Sequence, residues 1–251
     1  MSPKFAMVLA AGLGLRMRPI TETTPKPLIE VAGRPLIDWA LARIQDAGVE
    51  NAVVNLHYLS AQIEDHLKDR TTPNIVFTHE DPVLETGGGI ENALPHLGAA
   101  PFFVCNSDGL WLDGPGPDGN ANAMVRLAET WDDAAMDAIL LLHDPDRALG
   151  YDGAGDFSIA NNGQLTRRAA APDRKAYVFT GVQLLHPRLF ANAPGGAYSL
   201  NVLYDRALGA GRLYGLVHGG EWFHVGTPEA RDATETWLLD HGFGLQPGMH
   251  G

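Results

Sequence analysis

A single cysteine, Cys105, stands in 251 residues. One thiol closes no intrachain disulfide, so a reducing compartment, the cytosol, is the expected setting. Positive charge is scarce as well: 18 Lys and Arg stand against 30 Asp and Glu, a net charge of −12. A surface of that sign repels phosphodiester backbones and anionic lipid, which excludes nucleic acid and membrane surfaces as expected partners. No apolar run approaches the length of a bilayer span. Met7-Val8-Leu9-Ala10-Ala11 is too short for a secretory leader, and glycine follows it. Apolar residues at 45% and charged residues at 19% are ordinary for a globular chain. The length suffices for one α/β domain with a sizeable core.

An acidic protein that handles phosphate must hold it in a local pocket of positive charge, and one stretch has that composition. Phe5-Ala6-Met7-Val8-Leu9 reads as a buried strand. Ala10-Ala11-Gly12-Leu13-Gly14 then turns on small residues, which let backbone amides approach an anion. Arg16, Arg18 and Lys26 add cations, the last between Pro25 and Pro27. The commoner phosphate loops do not match. A dinucleotide fingerprint needs a third glycine where Met17 stands, and no Gly-Lys-Ser/Thr follows at P-loop spacing.

Beyond this stretch, strand and helix patterns alternate. Pro35 to Gly48 reads as an amphipathic helix, Ala52 to Leu56 as a buried strand, Ser60 to Leu67 as a helix and Ile75 to Phe77 as a strand. The alternation predicts a parallel sheet covered on both faces, with ligands at the carboxyl ends of its strands. In Glu85-Thr86-Gly87-Gly88-Gly89 the glycines read as a bare-backbone approach to a helix, capped by Thr86, against which a base or sugar lies flat. A flexible glycine loop is the plainer reading. Pro101 to Cys105 is another buried strand, and Asp108 beyond its end is a candidate Mg²⁺ ligand or, on spacing alone, a solvated loop carboxylate. Asp113 to Asn122 is a turn-rich connector. A helix over Ala123 to Trp131 and a strand over Ala138 to Leu142 follow. Phe157 to Ile159 then pairs with Leu165 across Asn161-Asn162-Gly163, and Tyr177 to Leu185 forms a strand interrupted by Gly181. Thr227-Pro228-Glu229 opens the last helix as cap, first-turn proline and first-turn acid.

Gly12-x-Gly14-x-Arg16-Met17-x-Pro19 with Pro25-Lys26-Pro27-Leu28 resembles the signature of the sugar-1-phosphate nucleotidylyltransferases. Leu84-Glu85-Thr86-Gly87-Gly88-Gly89 resembles most the loop of the N-acetylmuramate 1-phosphate uridylyltransferases; guanylyltransferases tend to carry Leu-Gly-Thr-Ala-Gly there. The resemblance implies a Rossmann-like (GT-A-like) α/β fold with a mostly parallel central sheet. It implies one domain over residues 1–251, with a nucleotide-binding half to about residue 110 and a sugar-phosphate-binding half after it. No hexapeptide repeat follows, so the β-helix that some relatives append is not expected. The substrates it implies are a nucleoside triphosphate and a sugar 1-phosphate: UTP and N-acetylmuramate 1-phosphate first, GTP and mannose 1-phosphate second, in a cell-wall sugar recycling role. A sugar-nucleotide sensor without catalysis is the rival from another class.

Residue by residue, the resemblance gives Ala10, Ala11, Gly12, Gly14, Arg16, Glu80 and Gly87 to the nucleotide. It gives Glu85, Asn106, Gly153, Asp156, Thr180 and Gly181 to the sugar phosphate, and Arg16, Lys26 and Asp108 to catalysis. Asp108 matches the first metal ligand. In Trp222-Phe223-His224-Val225-Gly226-Thr227 the second ligand, an aspartate in the family, is replaced by His224. Mg²⁺ is the implied ion, and the imidazole admits Mn²⁺. Leu15 is a second departure. A third is the missing Glu-Lys-Pro segment between Leu165 and Tyr177, which leaves Arg167, Arg168, Arg174 or Lys175 for the acceptor phosphate.

Overall fold

The apolar runs assemble into a seven-stranded sheet in this computed structural model, which describes residues 2–114 and 122–243. In chain order come β1 (Phe5–Leu9), the small antiparallel pair β2 (Glu30–Val31) and β3 (Arg34–Pro35), α1 (Leu36–Asp46), β4 (Asn51–Leu56) and α2 (Ser60–Leu67). They are followed by β5 (Asn74–His79), α3 (Glu85–Leu97), β6 (Phe102–Asn106) and β7 (Gly109–Leu112). Then come α4 (Ala123–Thr130), β8 (Ala138–His143), β9 (Phe157–Ile159), β10 (Leu165–Arg167) and β11 (Val178–Leu185). The last elements are α5 (Asn201–Gly209), β12 (Leu213–Val217), β13 (Glu221–His224) and α6 (Pro228–Asp240). Most of the expected connector Asp113–Asn122 lies outside the described residues.

The sheet runs β12-β8-β11-β6-β1-β4-β5, and only β11 is antiparallel to its neighbours. Side chains alternate across it, as period-two strands require. Ala6 and Val8 face α1, α2 and α4 through Ile37, Leu41, Ile63 and Leu127. Met7 faces α3 and α5 through Ile90, Ala93 and Leu203. A third cluster joins Met17, Leu36, Leu110, Phe223 and Leu238, packing α6 and the β7–β13 ladder beside the opening loop. The expected hairpin forms as β9 and β10. Thr227 caps α6 by accepting the Ala230 N–H at 3.2 Å.

Two local expectations are corrected. The three glycines do not precede a helix; α3 begins at Glu85 and contains them. Helix-breaking composition is overridden by close packing: a side chain at Gly87 would strike the Tyr198 ring, and one at Gly88 the Gly196 carbonyl. Thr86 does not cap the helix either, since its hydroxyl accepts the Leu200 N–H at 2.9 Å. Among the described residues no helix is long and apolar enough to cross a membrane.

The second half holds a buried pair of imidazoles. His218, only 3% exposed, donates from Nε2 to the Leu112 carbonyl at 3.0 Å, with the His143 ring 6.0 Å away. Burial, then the neighbouring His143, pushes His218 down to about 4. The unfolded chain takes up that proton near pH 6.5 and the folded chain near 4, so stability falls as pH drops through this window. The expected loss is about 3 kcal/mol. Urea midpoints at pH 7 and 4.5 check it, and His218→Gln should flatten the difference; an unchanged slope would refute the assignment.

Candidate active site at the carboxyl edge of the sheet

Parallel strands that end together leave their following loops facing one crevice. Here the loops after β1, β4, β5 and β6 meet, tied by a chain of polar contacts. The Ala10 N–H donates to Asn55 Oδ1 at 2.8 Å, and Asn55 Nδ2 donates to Glu80 Oε1 at 2.6 Å. Glu80 Oε2 accepts the Leu84 N–H at 2.7 Å. Asn55 and Glu80 are buried, so each bond carries the desolvation cost that its loss would expose. A side chain at Gly89 would collide with both, at 2.6 Å from Glu80 Oε1 and 2.8 Å from Asn55 Nδ2. Ser107 Oγ donates to the Leu9 carbonyl at 2.7 Å and ties β6 to β1. Gly14 sits at φ 62, with Thr21 Cγ2 only 2.9 Å from where a Cβ would stand. The turn therefore needs glycine for both backbone and space.

The crevice has two lobes of about 220 and 240 Å³ that share Leu9, Thr86 and Asn106. Ala10, Ala11, Gly12, Glu80, Lys26 and Asp108 line the first, along with Glu85, whose backbone is left-handed at φ 59. Asp156, Arg167, Gln183 and Tyr204 line the second. Lys26 Nζ donates to Asp108 Oδ2 at 2.7 Å, across 82 positions of sequence. The two side chains are 12% and 27% exposed, dry enough to strengthen the pair and open enough for substrate to reach it. Burial, the largest influence, raises the Asp108 carboxyl, but the charge and hydrogen bond of Lys26, with His224 and a backbone hydrogen bond, together hold the group below the ordinary carboxylate value.

The β7–β13 register pairs His224 with Gly109, which brings the imidazole beside Asp108. Burial pushes its pKa down, Asp108 pulls it up, and Lys26 and Arg16 push it down again; the net shift is downward. His224 is therefore neutral at pH 7, with a nitrogen lone pair available. Gly226 admits this arrangement: a methyl there would meet His224 Nε2 at 2.6 Å and Arg16 Nη1 at 3.3 Å. Arg16 thus lies on the His224 side rather than along the first lobe. Among the described residues no group of three or more His, Cys, Asp or Glu side chains is placed to hold a metal ion. Asp108 and His224 offer two protein donors, a set that suits a divalent ion completed by phosphate oxygens and water.

The other sequence candidates divide. Asn106 stands where the lobes meet, and Asp156 lines the second lobe while its Oδ2 accepts the Phe179 N–H at 2.8 Å. Gly14, Gly87, Thr180 and Gly181 line neither lobe. Thr180 is buried with its hydroxyl donating to the Leu141 carbonyl, and Gly181, at φ 85, leaves room for the Asn106 amide. Gly153 lines a separate depression with Arg168, Arg174 and Lys175, and of the four cations weighed for the acceptor only Arg167 reaches the crevice. Asn55 escaped the sequence reading. Its signal was a lone amide in the apolar run Val53-Val54-Asn55-Leu56.

A parallel-sheet crevice with a small-residue turn, an ammonium–carboxylate pair and two adjoining lobes suits the transfer of a nucleotidyl group between two phosphorylated substrates. The chain belongs to the MobA-like NTP transferase domain family, whose model matches residues 6–147. It is 42% identical over 244 residues to N-acetylmuramate alpha-1-phosphate uridylyltransferase of Caulobacter vibrioides, covering 95% of this chain and 98% of that one. The protein of the same name from Neisseria meningitidis serogroup B is 37% identical, covering 88% and 93%. A putative glucose-1-phosphate thymidylyltransferase from Bacillus anthracis, solved in complex with a sucrose, shares the fold at a TM-score of 0.77 and 19% identity, over 96% and 97% of the two chains.

Asn55→Ala strands Glu80 Oε1 and the Ala10 amide. It should cost about 2 kcal/mol in urea unfolding and raise the KM for nucleotide on the order of 10-fold. Wild-type stability together with an unchanged KM would show that these bonds do not hold the turn.

Proposed function

We propose that the chain transfers the uridylyl group of UTP to N-acetylmuramate 1-phosphate, giving the UDP-sugar and pyrophosphate. Similarity along nearly the whole chain to two relatives of that name supports the substrate pair. The Lys26–Asp108 contact beside the meeting of two lobes carries the mechanism.

An oxygen of the acceptor phosphate attacks the α-phosphorus of UTP; that P–O bond forms as the bond to pyrophosphate breaks. The attacking oxygen is already an anion, so no general base is required. What opposes reaction is the approach of two anions and the charge that builds on the transferring group. In this reading the amides of the Ala10–Gly12 turn face the triphosphate, with Glu80 and the α3 backbone bounding the base, and Arg16 faces the β- and γ-phosphates. Lys26, held beside Asp108, bridges the α-phosphate and the acceptor phosphate, while Asn106 and Asp156 orient the sugar. Asp108 and His224 would hold a divalent ion, Mg²⁺ or Mn²⁺, which neutralises charge on the α-phosphate when bound. Until substrate arrives, the ion pair keeps ammonium and carboxylate both charged and aimed at the same point.

Pyrophosphate release, with UTP and GTP crossed against N-acetylmuramate, N-acetylglucosamine and mannose 1-phosphates under each ion, tests the assignment. UTP with N-acetylmuramate 1-phosphate should win. Lys26→Ala and Asp108→Asn should each lower kcat on the order of 10²-fold, the scale of losing one charge-stabilising group. Near-normal turnover in both variants would contradict the mechanism, and a different winning pair would contradict the substrates.

A further inference from the structure

The second lobe carries one guanidinium. Arg167, at the end of β10, is the single cation on its wall, whereas Arg168, Arg174 and Lys175 open onto other depressions. The fork is held from several sides. Nε donates to Asp205 Oδ1 at 2.9 Å and Nη2 to Asn201 Oδ1 at 2.9 Å. Cζ stands 4.7 Å from the centre of the Phe157 ring, the residue opposite it in the β9–β10 ladder. Nη1 has no hydrogen-bond partner among the described residues, and the side chain is 31% exposed. A planar fork anchored along one edge and free at the other is pre-organised to read an anion, because little rotamer entropy remains to be lost.

That anion is not the one at the reacting centre. Lys26 and Asp108 line the first lobe and not the second, so the 1-phosphate of the acceptor has its cation elsewhere. Arg167 faces what the sugar carries away from C1. On N-acetylmuramate this includes a lactyl ether at C3 ending in a carboxylate; N-acetylglucosamine has only a hydroxyl there. Asp156 is the other charged side chain on the wall, and one of its oxygens already accepts the Phe179 N–H. The lobe therefore pairs one anchored cation with groups suited to hydroxyls and amides.

We propose that Arg167 determines acceptor specificity, its free Nη1 edge binding a carboxylate borne by the sugar. The inference rests on the acceptor class proposed above. The test is UTP-dependent pyrophosphate release with N-acetylmuramate 1-phosphate and with N-acetylglucosamine 1-phosphate, for wild type, Arg167→Gln and Arg167→Lys. Arg167→Gln should raise the KM for the muramate about 10- to 100-fold, the value of a charge-assisted hydrogen bond. The KM for the glucosamine should not move, and Arg167→Lys should recover part of the loss. Equal losses on both acceptors would overturn the proposal and reduce Arg167 to a packing strut between β10 and α5, and so would no loss on either. Should Arg167→Gln fail to fold, Asp205→Asn, which loosens the fork and keeps its charge, should narrow the preference between the two acceptors; an unchanged preference overturns the proposal. A wild type indifferent to the lactyl group would instead remove the acceptor class, a failure visible before any substitution is made.

Discussion

Everything in the crevice depends on one contact between opposite charges in a protein of net charge −12. Such a molecule draws a polyphosphate and a second phosphate together only where its field is locally reversed. In the proposed mechanism Lys26 supplies the reversal, and its 2.7 Å contact with Asp108 fixes where it stands. The lysine opens a short turn, Lys26–Leu28, and stands between Pro25 and Pro27, both buried. The aspartate follows β6, which lies beside β1 in the parallel sheet. Parallel pairing of β1 with β6 is thus what brings together two charges that are remote in sequence.

The surrounding structure serves that contact. The bonds from Ala10 through Asn55 and Glu80 to Leu84 hold three strand ends and the start of α3 in one frame. The β7–β13 ladder adds His224 from the far end of the chain. The second half of the chain, entering the sheet through antiparallel β11, contributes a lobe of nearly the same volume as the first. Asp156, Arg167, Gln183 and Tyr204 of the second half line that lobe together with Leu9, Thr86 and Asn106 of the first.

Much of this was legible in the residues. Apolar runs marked β1 and β4 to within a residue or so, the helix Ser60–Leu67 has its expected bounds, and the small-residue turn with Lys26 and Asp108 marked the first lobe. What was not legible depended on tertiary neighbours. Glycine at 87, 88 and 89 weakens a helix on propensity alone, yet Tyr198, Gly196 and Glu80 leave room for nothing larger. Asn55 looked like one polar residue in a buried run because its partners, Ala10 and Glu80, are remote in the chain. Gly153 and Asp156 lie three positions apart, but Asp156 leads into β9 and lines the second lobe while Gly153 faces another depression. Spacing does not carry that distinction.

The most direct test of the account is a double-mutant cycle on kcat/KM with Lys26→Ala, Asp108→Asn and both together. If the pair acts as one unit, the double variant should lie within about threefold of the slower single variant, because the second change removes what the first has already disabled. Losses that multiply would mean that lysine and carboxylate act independently, and the account centred on their contact would be wrong.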